Sequence, residues 1–203
     1  MEFSHKNNGE GFSVRDKKIE LRLVYRERRR ALSPEQKAAL DADISRRLLS
    51  LAGFRYADAV LSYIPLPEEV DITPVNEAAL ESGKLLALPR CLPGTPTMEF
   101  RTVASLTALN RGQFSIMEPD ERCPLWQYGD SRNVICIVPA LAYDLSGFRL
   151  GYGKGYYDRY LSSKEITKVG VVYNSFITKN LPRGRYDLSV DLIVTDKGII
   201  TPR

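Results

Sequence analysis

The sequence contains a single histidine, His5, and it sits in the polar leader "MEFSHKNNGEGFS". A Ser-His-Asp triad, a Cys-His pair and a histidine-rich metal site each need an imidazole in the folded part of the chain, so all three are excluded. Cysteine is scarce too. Cys91, Cys123 and Cys136 are odd in number and no two form a CxxC pattern, which argues against a disulfide framework or a zinc knuckle. They read as reduced thiols of a cytoplasmic protein, with Cys136 in an apolar run that belongs to the core. No stretch approaches the ~18 consecutive apolar residues of a membrane span. The leader lacks the apolar centre of a signal peptide. The expectation is a disordered leader over residues 1–15, then a single domain over 16–203. Chemistry in such a chain must run on Lys, Arg, Asp, Glu and Tyr.

What is present fits one compact domain. At 203 residues and 43% hydrophobic content, the chain can bury a core without disulfide or metal staples. A net charge of +4 is mild and suits an anionic small molecule as well as nucleic acid. Residues 15–32 place apolar Ile19, Leu21, Val24 and Leu32 among many cations, which predicts an amphipathic helix. Next, Ser33 can cap, Pro34 fits the first helical position and Gln36 completes a capping box. Leu40, Ile44, Leu48 and Leu51 then form a buried stripe that Gly53 closes. Short apolar runs at 58–64, 84–89, 97–103, 133–141 and 168–174 predict strands, with a helix over 72–82 ending at Gly83. The segments 114–120 and 123–130 read as loop. Residues 191–200 give the last strand segment, turning at Asp196-Lys197-Gly198. Helices alternating with short strands imply an α/β fold with a mixed, mostly parallel sheet covered by helices.

The chemistry-bearing stretch is "GFRLGYGKGYYDRYL", residues 147–161, with four glycines in nine residues and Arg149 and Lys154 among them. It follows the most β-rich run, 133–141, and opens a helix. Open α/β sheets bind ligands at such places. Glycines permit positive φ and close approach, and backbone N–H groups at a helix start attract anions. This implies a phosphate cradle. The alternative is a glycine-rich turn with no ligand. It is not a P-loop, because Phe148 stands where the first glycine belongs and Gly155 where Ser or Thr belongs. The dinucleotide fingerprint fails at Tyr156. Asp158 falls in the first helical turn, where the helix dipole alone favours a carboxylate; beside phosphates it can instead hold magnesium. Asp191 is a second candidate carboxylate if strand order brings it near. Tyr156 and Tyr157 read either as one packed and one exposed ring or as a wall against a flat heterocycle. Phe114 is a further stacking face or a packing residue. The run "RERRR", 26–30, reads as a solvated helix face rather than a nucleic-acid patch.

"RLGYGKGYYDRYL" closely resembles the hallmark loop of the 5-formyltetrahydrofolate cyclo-ligase family, also called methenyltetrahydrofolate synthetases. The resemblance covers roughly residues 17–200 in matching order, through "KKIELR", "RRRALS", "YIPLPEEVD", "ALPR", Glu118-Pro119, "VPALAYDLSG" and "VDLIVTD". It implies a three-layer α/β/α sandwich. It also implies an enzyme that uses ATP and magnesium to convert 5-formyltetrahydrofolate to 5,10-methenyltetrahydrofolate, with ADP and phosphate as by-products. By matching position, Lys18 and Arg22 resemble ATP-phosphate ligands. Arg149, Leu150, Gly151, Tyr152, Gly153, Lys154, Gly155, Tyr156 and Tyr157 resemble the loop that closes on ATP. Asp158 and Asp191 resemble magnesium positions, and Ile64, Glu69, Tyr156 and Tyr157 resemble folate contacts. Two departures are visible: Tyr143 stands where many relatives carry phenylalanine, and "EEVDITP" differs slightly in spacing from the common Glu-x-Asp-Thr pattern. Phosphoryl transfer to a formyl oxygen needs positioning and charge neutralisation rather than a protein nucleophile. Arg149 and Lys154 are the candidates for that task, facing Lys18 and Arg22 on one helix face. The other readings are an ATP-dependent enzyme acting on another small metabolite, and a non-catalytic nucleotide- or nucleic-acid-binding module. The expected partners are folate and ATP, with no nucleic acid, no membrane and no second chain.

Overall fold

The computed structural model describes residues 13–112 and 116–203. The leader through residue 12, with His5, and Phe114 lie outside the described residues. Helix α1, Val14–Arg30, begins one residue before the expected boundary because Ser13 caps it, its hydroxyl accepting from Asp16 N–H at 3.2 Å. Helix α2, Pro34–Ser50, carries the full capping box: Ser33 Oγ accepts from Gln36 N–H at 3.2 Å and Gln36 Oε1 accepts from Ser33 N–H at 3.0 Å. Ile44 and Leu48 are wholly buried along its stripe. Gly53 does not close this helix. Leu51 ends it in an extended conformation, and Gly53 lies within the short α3, Ala52–Arg55, against Ile135.

The chain then runs through β1 (Ala59–Leu61), α4 (Thr73–Glu81), β2 (Leu85–Cys91), β3 (Met98–Val103), β4 (Leu109–Arg111), β5 (Met117–Pro119), β6 (Val134–Pro139), β7 (Ala142–Asp144), β8 (Arg149–Leu150), α5 (Tyr156–Leu161), β9 (Thr167–Val171), β10 (Ile177–Thr178), β11 (Leu192–Val194) and β12 (Ile199–Ile200). Seven strands form the central sheet in the order β12-β11-β9-β6-β1-β2-β3. The five inner strands are parallel, and β12 and β3 are antiparallel edges. The expected central strand is therefore central, fourth of seven. Its neighbouring residues face opposite layers. Ile135 meets Gly53 of α3, and the next residue, Cys136, is turned to the other side of the sheet and wholly buried.

Two segments differ from their sequence-based expectation. Residues 117–119, expected in a loop, pair with β4 as a short hairpin. The glycine loop does not follow the central strand directly, because the β7–β8 hairpin intervenes and takes Arg149 and Leu150 into strand geometry.

Chain order reverses between β1 and β6. From β1 the chain moves through α4 to β2 on one side, and from β6 through α5 to β9 on the other. The two crossovers diverge and leave a crevice beyond the carboxyl ends of β1 and β6, which is where open α/β sheets take ligands.

Candidate active site

A cavity of about 530 Å³ fills that crevice. Ile64, just past β1, and Pro139, ending β6, form part of its floor. One wall is α1. Lys18, Arg22 and Arg26 recur every four residues and so share the helix face that lines the cavity. The opposite wall is the loop Gly151–Gly155 with the start of α5. Glu69 and Tyr63 line the same space.

The two walls touch. Arg22 Nε donates to the Gly151 carbonyl at 2.8 Å, and its guanidinium lies under Gly153, where a Cβ would come within 3.2 Å of Arg22 Cζ. Gly153 and Gly155 hold φ of +102° and +66°, conformations that favour glycine. Lys18 pairs with Asp187, and the Arg26 guanidinium sits 5.2 Å from the centre of the Tyr152 ring. Arg159 Nε donates to the Pro96 carbonyl at 2.6 Å, and its Nη2 donates to the Lys154 carbonyl, which ties the loop to the turn before β3.

Arg149 reaches the cavity from β8. It is 9% exposed, bridges Asp158 from Nη2 at 2.8 Å and lies 5.8 Å from the Tyr157 ring centre. Asp158 also accepts from Leu188 N–H at 3.1 Å, so it braces the loop against the segment before β11. Tyr157 stands edge-on to Phe100, with ring centres 6.4 Å apart, and its hydroxyl is buried without a hydrogen bond. Both Tyr156 and Tyr157 border the cavity.

Glu69 is 5% exposed, and burial pushes its carboxyl up to about 7. Leu66 N–H, donating to Oε2 at 2.9 Å, and the Arg29 charge oppose that rise. The Tyr152 hydroxyl lies beside the carboxyl, too loosely aligned for a full hydrogen bond. Burial, followed by the Glu69 charge, raises the Tyr152 phenol well above its ordinary value. Arg29 fixes the loop that bears Glu69. It is buried and donates to the carbonyls of Glu68 (3.0 Å), Leu141 (3.2 Å) and Ala140, packed against Tyr173 and Phe176.

Of the residues singled out from the sequence, the structure brings Lys18, Arg22, Ile64, Glu69, Arg149, Gly151–Tyr157 and Asp158 around one cavity. Leu150 is instead a core residue of β8, 1% exposed. Asp191 is not beside Asp158 in that lining. It stands at the amino end of β11, where register with β9 hands its carboxylate to the Lys168 N–H at 2.6 Å and to Lys168 Nζ at 3.3 Å. The run "RERRR" is not uniformly solvated, since Arg29 is buried and Arg26 faces the cavity. Sequence reasoning also missed Cys91, Glu118 and Asp187 in the lining. For Arg26 a signal existed, because it continues the four-residue spacing of Lys18 and Arg22.

Comparison with known proteins finds one family across nearly the whole chain. A sequence profile described as the 5-formyltetrahydrofolate cyclo-ligase family matches residues 14–196. The 5-formyltetrahydrofolate cyclo-ligase of Escherichia coli K12 is 30% identical over 180 residues, covering 85% of this chain and 96% of that protein. The solved structure of Aquifex aeolicus 5,10-methenyltetrahydrofolate synthetase superposes with a TM-score of 0.78 at 35% identity, covering 92% of this chain and 93% of the other. A synthetase from Mycoplasma pneumoniae shares the fold, with a TM-score of 0.70 at 24% identity over 88% of this chain and 98% of that one. The chain belongs to the 5-formyltetrahydrofolate cyclo-ligase family of enzymes.

Proposed function

We propose that the protein converts 5-formyltetrahydrofolate to 5,10-methenyltetrahydrofolate, using ATP to activate the formyl oxygen. The observation that carries this reading is one cavity walled by the α1 cations on one side and the glycine loop on the other, with Glu69 and Ile64 in the same lining. Family membership supports the folate reaction, and the cationic walls support a nucleotide triphosphate as its second substrate.

The residues suit a stepwise reaction. Lys18, Arg22 and Lys154 hold the phosphate tail, each charge-assisted contact contributing ~1.5–3 kcal/mol. Tyr156, Tyr157 and Ile64 wall in the pterin. The formyl oxygen attacks the γ-phosphorus and the bond to the bridging oxygen breaks, releasing ADP. The neighbouring N10 amine then attacks the formyl carbon, phosphate departs with the oxygen, and the N10 proton is lost to phosphate. No protein nucleophile is required, which suits described residues that include no histidine. Arg149 and Lys154 offset the charge that moves with the phosphoryl group. Asp158 and Asp187 both line the cavity and fit a magnesium ion bound mainly through phosphates. Magnesium would neutralise part of the phosphate charge. We take the protein to act as a monomer in the cytoplasm. Among the described residues no helix is long and apolar enough to cross a membrane.

The test is spectrophotometric. Mixing the protein with 5-formyltetrahydrofolate and Mg-ATP should produce the methenyl absorbance with one ADP released per product. A folded preparation that shows no ATP-dependent rise would overturn the reading.

A further inference from the structure

Three cations of α1, Lys18, Arg22 and Arg26, line the cavity, and Arg29 follows them on the helix. Lys18 meets Asp187, Arg22 meets Gly151, Arg26 meets the Tyr152 ring and Arg29 meets the Glu68 carbonyl. Moving along the helix therefore runs from Asp187, past the glycine loop at Gly151 and Tyr152, toward the loop bearing Glu69. At ~1.5 Å per residue, Arg26 stands ~12 Å beyond Lys18 and ~6 Å beyond Arg22, near the folate end.

Lys18, Arg22 and Arg29 each make a hydrogen bond or ion pair, although Arg29 Nε is itself buried without a partner. Arg26 differs. Among the described residues it makes no hydrogen bond and no ion pair, and its Nε is buried without a partner. A buried donor left unmatched is costly, and a charged one more so. Arg26 also repels Arg22: after burial, its charge is the largest cause of the lowered Arg22 pKa. Two cations held together over a cavity, with an orphaned N–H on one of them, define a place that an anion would stabilise.

We infer that Arg26 is a catalytic residue, donating to an equatorial oxygen of the phosphoryl group as it passes from the nucleotide to the formyl oxygen. This rests on the ATP-dependent reading above. The position follows from the path. The group leaves the end held by Lys18 and Arg22 and arrives at the end held by Glu69, and Arg26 is the cation between them. The Tyr152 ring lies against the guanidinium of Arg26, which lines the cavity. The charge it meets is spread over three equatorial oxygens while the bond to ADP breaks and the bond to the formyl oxygen forms.

An interaction made mainly in the transition state lowers kcat without weakening substrate binding. Arg26→Ala should reduce kcat by ~100-fold, with KM for ATP and for 5-formyltetrahydrofolate within ~3-fold of wild type. Added guanidinium or methylguanidinium should restore at least ~10-fold of the loss, a rescue that a purely structural role would not permit. Arg26→Lys, which keeps charge without the fork, should fall between the two. If Arg26→Ala does not fold, Arg26→Lys decides: a ~10-fold lower kcat at unchanged melting temperature supports the role, and wild-type kcat overturns it. A kcat for Arg26→Ala within ~3-fold of wild type would overturn it, as would a deficit that guanidinium leaves untouched. A wild-type protein with no ATP-dependent turnover removes the reading beneath this inference, and the inference with it. Loss confined to the variants bears on Arg26 alone.

Discussion

Arg22 holds the glycine loop from below. Its Nε donates to the Gly151 carbonyl at 2.8 Å while its guanidinium lies 3.2 Å from the place a Gly153 side chain would occupy. The same cation thus binds the loop's backbone and limits the loop's sequence. The φ of +102° at Gly153 adds a second constraint, because an L side chain rarely adopts it.

The expected outcome for Gly153→Ala is a loop displaced from Arg22, not an unfolded protein, since Gly153 is exposed and outside the core. A shift of about 1 Å in a positioning element can cost ~100-fold in rate. We predict a ~10–100-fold loss in kcat/KM for ATP with a melting temperature within ~2 °C of wild type. Steady-state kinetics beside a thermal melt checks this, and turnover within twofold of wild type would show that the backbone path through Gly153 is dispensable.

The buried Glu69 carboxyl makes stability depend on pH. Its folded value is raised by burial from 4.5 to about 7, so between those limits the folded state binds the proton more tightly than the unfolded state. Stability must then fall as pH rises through that window, and above it the ionised carboxylate costs about 3 kcal/mol. Glu69→Gln removes the titration. Urea unfolding should find the variant comparable to wild type near pH 5 and more stable at pH 8. A difference that stays constant between those pH values would mean that Glu69 is not the group responsible.

Much of this was legible in the sequence where local chemistry decides. The Ser33–Gln36 capping box, the Ile44–Leu48 stripe and the positive-φ stop at Gly83 depend on near neighbours, and each stands where the pattern placed it. The glycine loop was legible because its composition serves little else. What escaped depends on distant partners. Asp191 was a candidate carboxylate by matching position and only if strand order brought it near Asp158, and register between β9 and β11 pairs it with Lys168. Arg29 resembles a solvated charge until Tyr173, Phe176 and three carbonyls from other segments close around it. The β4–β5 hairpin is only three residues per strand, and its Glu118-Pro119 pair carries no strand signal.

A core contact sets where Arg149 stands. The Tyr143 ring packs on Gly170 of the inner strand β9, where an added Cβ would lie 2.5 Å from Cζ and 2.8 Å from the hydroxyl. That hydroxyl donates to the Val138 carbonyl at 2.9 Å, and Tyr143 pairs in register with Arg149. Gly170→Ala must therefore push a fully buried ring that has no room to move. Overpacking of this kind costs ~2–4 kcal/mol. Tyr143→Phe keeps the ring and loses one hydrogen bond, about 1 kcal/mol. It also removes one of the atoms nearest the new methyl, so in the double variant the two losses should sum to less than their separate values. Chemical denaturation of the two single variants and the double variant measures the coupling. Strict additivity would mean that the ring and the strand do not share the contact described, and that the β7–β8 hairpin holds Arg149 by other means.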